Sequence, residues 1–407
     1  MKKILTIGDM KRVAKRKVPR MFFDYCESGS WTESTKHVNE SDFGRVRFKQ
    51  KILVDMANRN TSTTIVGENA SIPLVLAPTG FCGMQYANGE IEAAKAAERL
   101  GVPFCLSTMS ICSLEDVASE VSGPFWFQLY MMKDRDFMER LIERAKNANC
   151  SALVLTVDLQ ILGQRHADVR NGLGAPPDIN LDTISQFVTR PEWCARMLTA
   201  KSWTFGNIVG HVQGVENLGR LGSWIGDQFD PSLSWDDVSW VRDRWQGKII
   251  LKGIMDPEDA EKACERGVDA IVCSNHGGRQ LDGAVSSISM LPKIVDAVNG
   301  RTEVHLDSGI RSGQDILRAV ALGAKAAYIG RPYLYGLGAA GCKGVSRVLE
   351  ILHSEFDTTM ALVGERDVSC VGKHILERVP REWFSSSSSD DGGVVVVEEG
   401  DMSDIMV

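Results

Sequence analysis

An α/β fold, a (β/α)8 TIM barrel with a long insertion between its fourth and fifth strands, is the architecture this sequence predicts. Three observations carry it. Eight short apolar runs recur along the chain, helical stretches that stop at glycine lie between them, and polar residues follow every run. The runs cover 72–77, 102–106, 125–129, 152–157, 248–251, 270–273, 303–306 and 326–329. They are continuous rather than alternating, as expected of parallel strands buried on both faces. Eight such units favour a closed barrel over an open doubly wound sheet.

The intervening segments read as helices. Residues 90–100 are rich in Ala and Glu and stop at Gly101. Asp256-Pro257 supplies a cap and a first-turn proline for a helix ending at Gly267, and 312–322 ends at Gly323. Segment 171–245 breaks the rhythm. It is too long for an ordinary crossover and carries Trp193, Trp203, Trp224, Trp235, Trp240 and Trp245. It reads as a folded excursion over the barrel mouth, with a lid or docking surface as the sharper reading. Residues 1–384 form the barrel domain in this scheme. The tail 385–407 opens with Ser385 to Ser389, mixes acids with a valine run, and reads as disordered.

Composition narrows the function classes. The apolar fraction is 43%, the charged fraction 24% and the net charge −7, so nothing favours nucleic acid as a partner. Six basic residues between Lys11 and Arg20 read as a solvated helix face. Ten scattered cysteines contain no C-x-x-C, so no zinc, haem or thioredoxin-type site is expected, and they suit a reducing cytoplasm. The N-terminus lacks the apolar core of a signal peptide, and no apolar run is long enough to span a bilayer.

In such a barrel the C-terminal strand ends share one site. They carry Pro78-Thr79-Gly80, then Ser107, then Gln128 and Tyr130, then Thr156, Asp158 and Arg165. The last four carry Lys252-Gly253, then Ser274, His276 and Arg279, then Asp307-Ser308-Gly309-Ile310-Arg311, then Gly330-Arg331. The seventh and eighth ends pair glycines with arginines, where barrels bind phosphate. His276 titrates near neutrality and suits a general base, with Asp158 placed to orient it. Arg165 and Arg279 each offer a planar fork for a carboxylate. Lys252 puts positive charge beside an electron-rich cofactor ring. Together these suggest loss of two electrons and a proton from a hydroxyl-bearing carbon next to a carboxylate. No G-x-G-x-x-G follows a strand, so flavin mononucleotide fits better than a Rossmann-bound nicotinamide.

These residues resemble the FMN-dependent 2-hydroxy acid oxidases and dehydrogenases, and within them bacterial L-lactate dehydrogenase-like proteins. The resemblance runs from about Ile7 to Arg378. It is most specific at Ser274-Asn275-His276-Gly277-Gly278-Arg279-Gln280-Leu281-Asp282, Leu155-Thr156-Val157-Asp158, Phe127-Gln128-Leu129-Tyr130 and the segment 307–313. It implies substrate contact by Tyr25 and Tyr130, carboxylate binding by Arg165 and Arg279, and proton uptake by His276 supported by Asp158. Pro78, Thr79, Gly80, Ser107, Gln128, Thr156, Lys252 and Ser274 would line FMN. Asp307, Ser308, Gly309, Ile310, Arg311, Gly330 and Arg331 would hold its ribityl chain and phosphate. Gly80 is more typical of the family's dehydrogenases than of its oxidases, and Met109 and Ile161 sit where side chains shape the substrate pocket. The match through Tyr25 argues against a removable presequence. The implied enzyme oxidises an L-2-hydroxy acid, L-lactate first among them, and passes electrons to a quinone or cytochrome. An oxidase making hydrogen peroxide and a dehydrogenase for a larger hydroxy acid or amine are the alternatives. Also implied are a homotetramer and a cytoplasmic location with peripheral membrane contact through 171–245.

Overall fold

The computed structural model describes residues 3–173, 180–212 and 228–384, with the backbone of 395–397. Its eight parallel barrel strands are β1 Leu74–Leu76, β2 Cys105–Ser107, β3 Trp126–Tyr130 and β4 Ala152–Thr156, then β5 Lys248–Ile254, β6 Ala270–Cys273, β7 Glu303–Leu306 and β8 Ala326–Ile329. Each pairs with its sequence neighbour, and β8 pairs with β1. A parallel bridge from Leu76 to Phe104 joins β1 to β2 and closes the ring. All eight apolar runs are therefore barrel strands.

The continuous apolar character of the runs has a direct cause. Val75, Trp126, Ala152, Val154, Ile250, Ala270, Val272 and Tyr328 fill the barrel interior. Their neighbours Leu74, Leu76, Phe127, Leu153, Leu155, Ile249, Leu251 and Ile271 pack outward into the larger core shared with the helices. Both faces leave water, so alternation disappears.

A hairpin that the runs did not reveal, Thr63–Ile65 with Glu68–Ala70, contributes Ile65, Val66 and Ala70 to the interior cluster. The Val66 amide donates to Glu303 Oε2 at 3.0 Å, at the start of β7, and Trp126 Nε1 donates to Glu68 at 2.8 Å. The hairpin thus floors the barrel at the end away from the polar strand ends.

The helix ends follow the sequence signals. Gly89–Leu100 stops at Gly101 in the left-handed region. Pro257–Glu265 is capped by the Asp256 side chain, which accepts from the Glu258 amide. Gly313–Ala321 is capped by Ser312, which accepts from the Asp315 amide. The segment Arg331–Leu362 is two helices joined at a kink, where Ala340 and Gly341 leave helical geometry.

The insertion contains helices Leu181–Val188, Pro191–Met197 and Trp235–Arg244. Buried Trp193 stacks on Phe22 at 5.5 Å and donates its indole N–H to the Met84 carbonyl at 3.0 Å, which fastens the insertion to the barrel. Trp224 lies outside the described residues. So does most of the tail, except Val395–Val397, whose backbone pairs in parallel with Leu376–Pro380.

Candidate active site

The polar strand ends enclose a cavity of about 340 Å³, within the range of small-molecule sites. On its wall lie Tyr25, Tyr130, Arg165, Lys252, His276 and Arg279, together with 78–80, 307–311 and 330–331. Ser107, Gln128, Thr156 and Ser274 are buried just behind it, each no more than 3% exposed. The twenty-one residues expected to act in catalysis, bind substrate or hold the flavin thus converge on one end of the barrel, with Asp158 joined to the wall through His276.

His276 follows β6 in a left-handed conformation, φ 59°. Its amide donates to Ser274 Oγ at 3.1 Å, and its Nδ1 lies 2.9 Å from Asp158 Oδ1. That contact leaves Nε2 for the cavity. Burial pushes the imidazole below its ordinary value, Asp158 pulls it back up, and Lys252 and Arg279 reinforce the depression. Asp158 depends on Gly253 at the end of β5. There φ is +113°, and an added Cβ would lie 2.7 Å from the Asp158 Cβ. Gln280 fixes the loop after β4 by donating to the carbonyls of Asp158 at 2.7 Å and Ile161 at 2.8 Å.

Lys252 is buried with Nζ 2.8 Å from Asp307 Oδ2 and 3.0 Å from Ser274 Oγ. Burial disfavours its charge, but the Asp307 and Asp158 carboxylates outweigh that and hold it above its ordinary value. A fixed cation therefore sits at the base of the cavity.

Two arginines approach the Tyr25 ring, Arg279 at 4.6 Å and Arg165 at 5.5 Å from its centroid. Arg279 Nη1 donates to the carbonyls of Tyr25 and Ser28. Burial, then repulsion from Arg165, pushes Arg279 down to about 10, so it stays cationic at neutral pH. Burial, assisted by the Asp158 charge, pushes the Tyr130 phenol up, so it keeps its proton.

The remaining groups suit a phosphate-bearing flavin. Gln128 Nε2 and Thr156 Oγ1 are buried with no hydrogen-bond partner among the described residues, and such donors need one. Gly309 has φ +85°, and an added Cβ would come 2.0 Å from the Asn39 carbonyl oxygen, so only glycine allows this backbone path. Gly330 caps the helix beginning at Arg331, whose N-terminal end favours an anion. Arg331 braces the site as well as charging it. It donates to the carbonyls of Cys26, Ser28 and Gly277 at 2.9–3.0 Å.

One expectation needs correction. Ile161 is 75% exposed and stands off the cavity, because the Gln280 contacts turn that loop outward. Leu159 and Leu162 line the wall instead, with Met109 where expected. Sequence reasoning missed Phe81, Phe205, Phe229 and Asp168. Phe205 meets Phe81 edge-on at 4.8 Å, and Phe229 meets Tyr130 at 5.9 Å. Phe205 and Phe229 come from the insertion, where no spacing marks which aromatic turns inward. Asp168 carried a readable signal, its position three residues after Arg165.

Comparison with known proteins agrees with this geometry. The FMN-dependent dehydrogenase family matches residues 14–378. An L-lactate dehydrogenase of Haemophilus influenzae is 44% identical over 90% of this chain and 96% of its own. One from Actinobacillus pleuropneumoniae is 44% identical over 92% and 98%. Among solved structures, (S)-mandelate dehydrogenase, described as a monotopic membrane protein, superposes with TM-score 0.88 at 34% identity, covering 92% of this chain and 99% of that one. Mandelate oxidase superposes with TM-score 0.77 at 36% identity, covering 91% and 97%.

Proposed function

The chain belongs to the FMN-dependent dehydrogenase family, and from that premise we propose that it oxidises L-lactate to the 2-oxo acid. The observation that carries the reading is the meeting of a paired base, His276 with Asp158, and two cavity-facing arginines at one end of the barrel. FMN, when bound, accepts the two electrons that leave the substrate carbon.

The chain's own residues do the rest in this proposal. Arg165 and Arg279 bind the carboxylate through their open fork edges. The protonated Tyr130 phenol donates to a substrate oxygen, and Tyr25 fixes the arginines and meets the substrate. His276 Nε2 takes up the proton the hydroxy acid releases, and Asp158 stabilises the resulting imidazolium through Nδ1. Lys252, Gln128, Thr156, Ser107, Ser274 and 78–80 hold the flavin ring. Asp307, Ser308, Gly309, Ile310, Arg311, Gly330 and Arg331 hold the ribityl chain and the phosphate.

Onward transfer to a quinone or cytochrome, assembly as a homotetramer, and peripheral contact with the inner face of the cell membrane belong to the same proposal. Membrane contact is supported by Leu181, Ile184 and Val188, spaced for one helix face and 86%, 47% and 73% exposed. No helix among the described residues is long and apolar enough to cross a membrane. Gly80 bears on the acceptor. A Cβ there would lie 3.0 Å from the Met109 carbonyl oxygen, so an alanine would press on Met109, and glycine here is more typical of the family's dehydrogenases than of its oxidases.

Reoxidation tests the dehydrogenase reading. After anaerobic reduction by L-lactate, air should leave the flavin reduced for minutes, while a soluble quinone restores its colour at once. Rapid recovery in air would identify a peroxide-forming oxidase instead.

A further inference from the structure

Arg165 stands at the entrance to the short helix His166–Arg170, and Asp168 lies one turn on. Asp168 Oδ2 sits 3.3 Å from Arg165 Nε. Among the described residues, no hydrogen bond engages the Nη groups of Arg165, and its side chain is 25% exposed. Its partner Arg279 is held differently, by backbone carbonyls on Nη1. Each guanidinium is therefore tethered at one edge and open at another, but only Arg165 is tethered by a charge.

That charge has a physical use. Two guanidinium groups beside one tyrosine ring repel, and in a site of reduced dielectric the repulsion is stronger than in water. Arg279 is held against that repulsion by two backbone carbonyls, whereas Arg165 has the Asp168 ion pair in their place. Asp168 lines the same cavity, and its Oδ1 is buried with no partner among the described residues. A desolvated carboxylate with an unused oxygen is costly for the fold alone. Burial accordingly pushes its pKa up, against the pull of Arg165 and Arg279.

We infer that Asp168 is the positioning residue of the carboxylate clamp, holding Arg165 by its Nε edge so that its Nη edge faces the 2-hydroxy acid. The inference rests on the reading of Arg165 and Arg279 as the substrate's carboxylate grip. Asp168 touches neither substrate nor flavin in this assignment and acts through Arg165.

A double-variant cycle in the FMN-loaded full chain tests it. Asp168→Asn and Arg165→Met, singly and together, are followed by anaerobic flavin reduction with L-lactate and by oxalate binding read from the flavin absorbance. Each single change should raise KM and weaken oxalate about 10- to 100-fold, the scale of a lost charged hydrogen bond. For Asp168→Asn the limiting reduction rate should fall far less than the affinity, as for loss of uniform binding. The double variant should bind no worse than Arg165→Met alone, and Asp168→Glu should recover part of the affinity. Independent, multiplying losses, or a fall in rate in place of affinity, would overturn the role. If Asp168→Asn does not fold, Asp168→Ser replaces it, and failure of both to fold marks Asp168 as structural and overturns the inference. A wild-type flavin that no 2-hydroxy acid reduces would sink the functional reading itself, a result distinct from normal turnover with independent losses.

Discussion

An imidazole must be unprotonated to act as a base, and at His276 burial outweighs the pull of Asp158 in keeping it so at neutral pH. The neutral form exists above the imidazole pKa, so a depressed pKa extends activity toward lower pH. The acid limb of kcat/KM is therefore expected below the ordinary histidine value of about 6.5. Asp158→Asn removes the upward pull, so the limb should move further down while turnover falls on the order of 10²- to 10⁴-fold. A limb that moves up in a pH profile of this variant would contradict the assignment. His276, Asp158, Arg165 and Arg279 were legible because strand ends in a barrel must converge, whatever their separation in sequence. Ile161 was misread for the opposite reason. Its loop is set by the Gln280 side chain from another strand end, a contact without local signal.

Among the elements, the strands were the most legible and the turn chemistry the least. Both barrel faces are apolar, so the runs declare themselves, though the first strand is only Leu74–Leu76 within the longer run 72–77. The flooring hairpin escaped because its turn puts Val66 at φ 51° before Gly67 at φ 85°. A β-branched residue is a poor candidate for that conformation, so no turn rule points to it. The end of β5 shows how an element limits the site. Gly253→Ala places a methyl group against Asp158 at a positive φ, a strain of about 1–3 kcal/mol. It should lower the thermal midpoint and slow flavin reduction together, by displacing Asp158 from His276. Calorimetry and stopped-flow absorbance check this, and unchanged values in both would show that the loop relaxes without cost.

For the whole molecule, the barrel supplies a rigid mouth, and the insertion supplies part of its apolar wall, Phe205 and Phe229, and the exposed face of Leu181–Val188. The insertion's existence was legible from its length and its tryptophans, but its inward and outward faces required the fold. Leu181→Ser, Ile184→Ser and Val188→Ser together should weaken sedimentation with anionic lipid vesicles several-fold and leave flavin reduction unchanged, since none of the three lines the cavity. Equal sedimentation would place the membrane contact elsewhere or remove it. The chemistry itself turns on His276. Anaerobic mixing of L-lactate with the FMN-loaded chain, beside its His276→Gln variant, tests it most directly. The wild-type flavin should bleach within seconds, while the variant keeps its flavin and bleaches on the order of 10²- to 10⁴-fold more slowly. Equal bleaching rates would contradict His276 as the base.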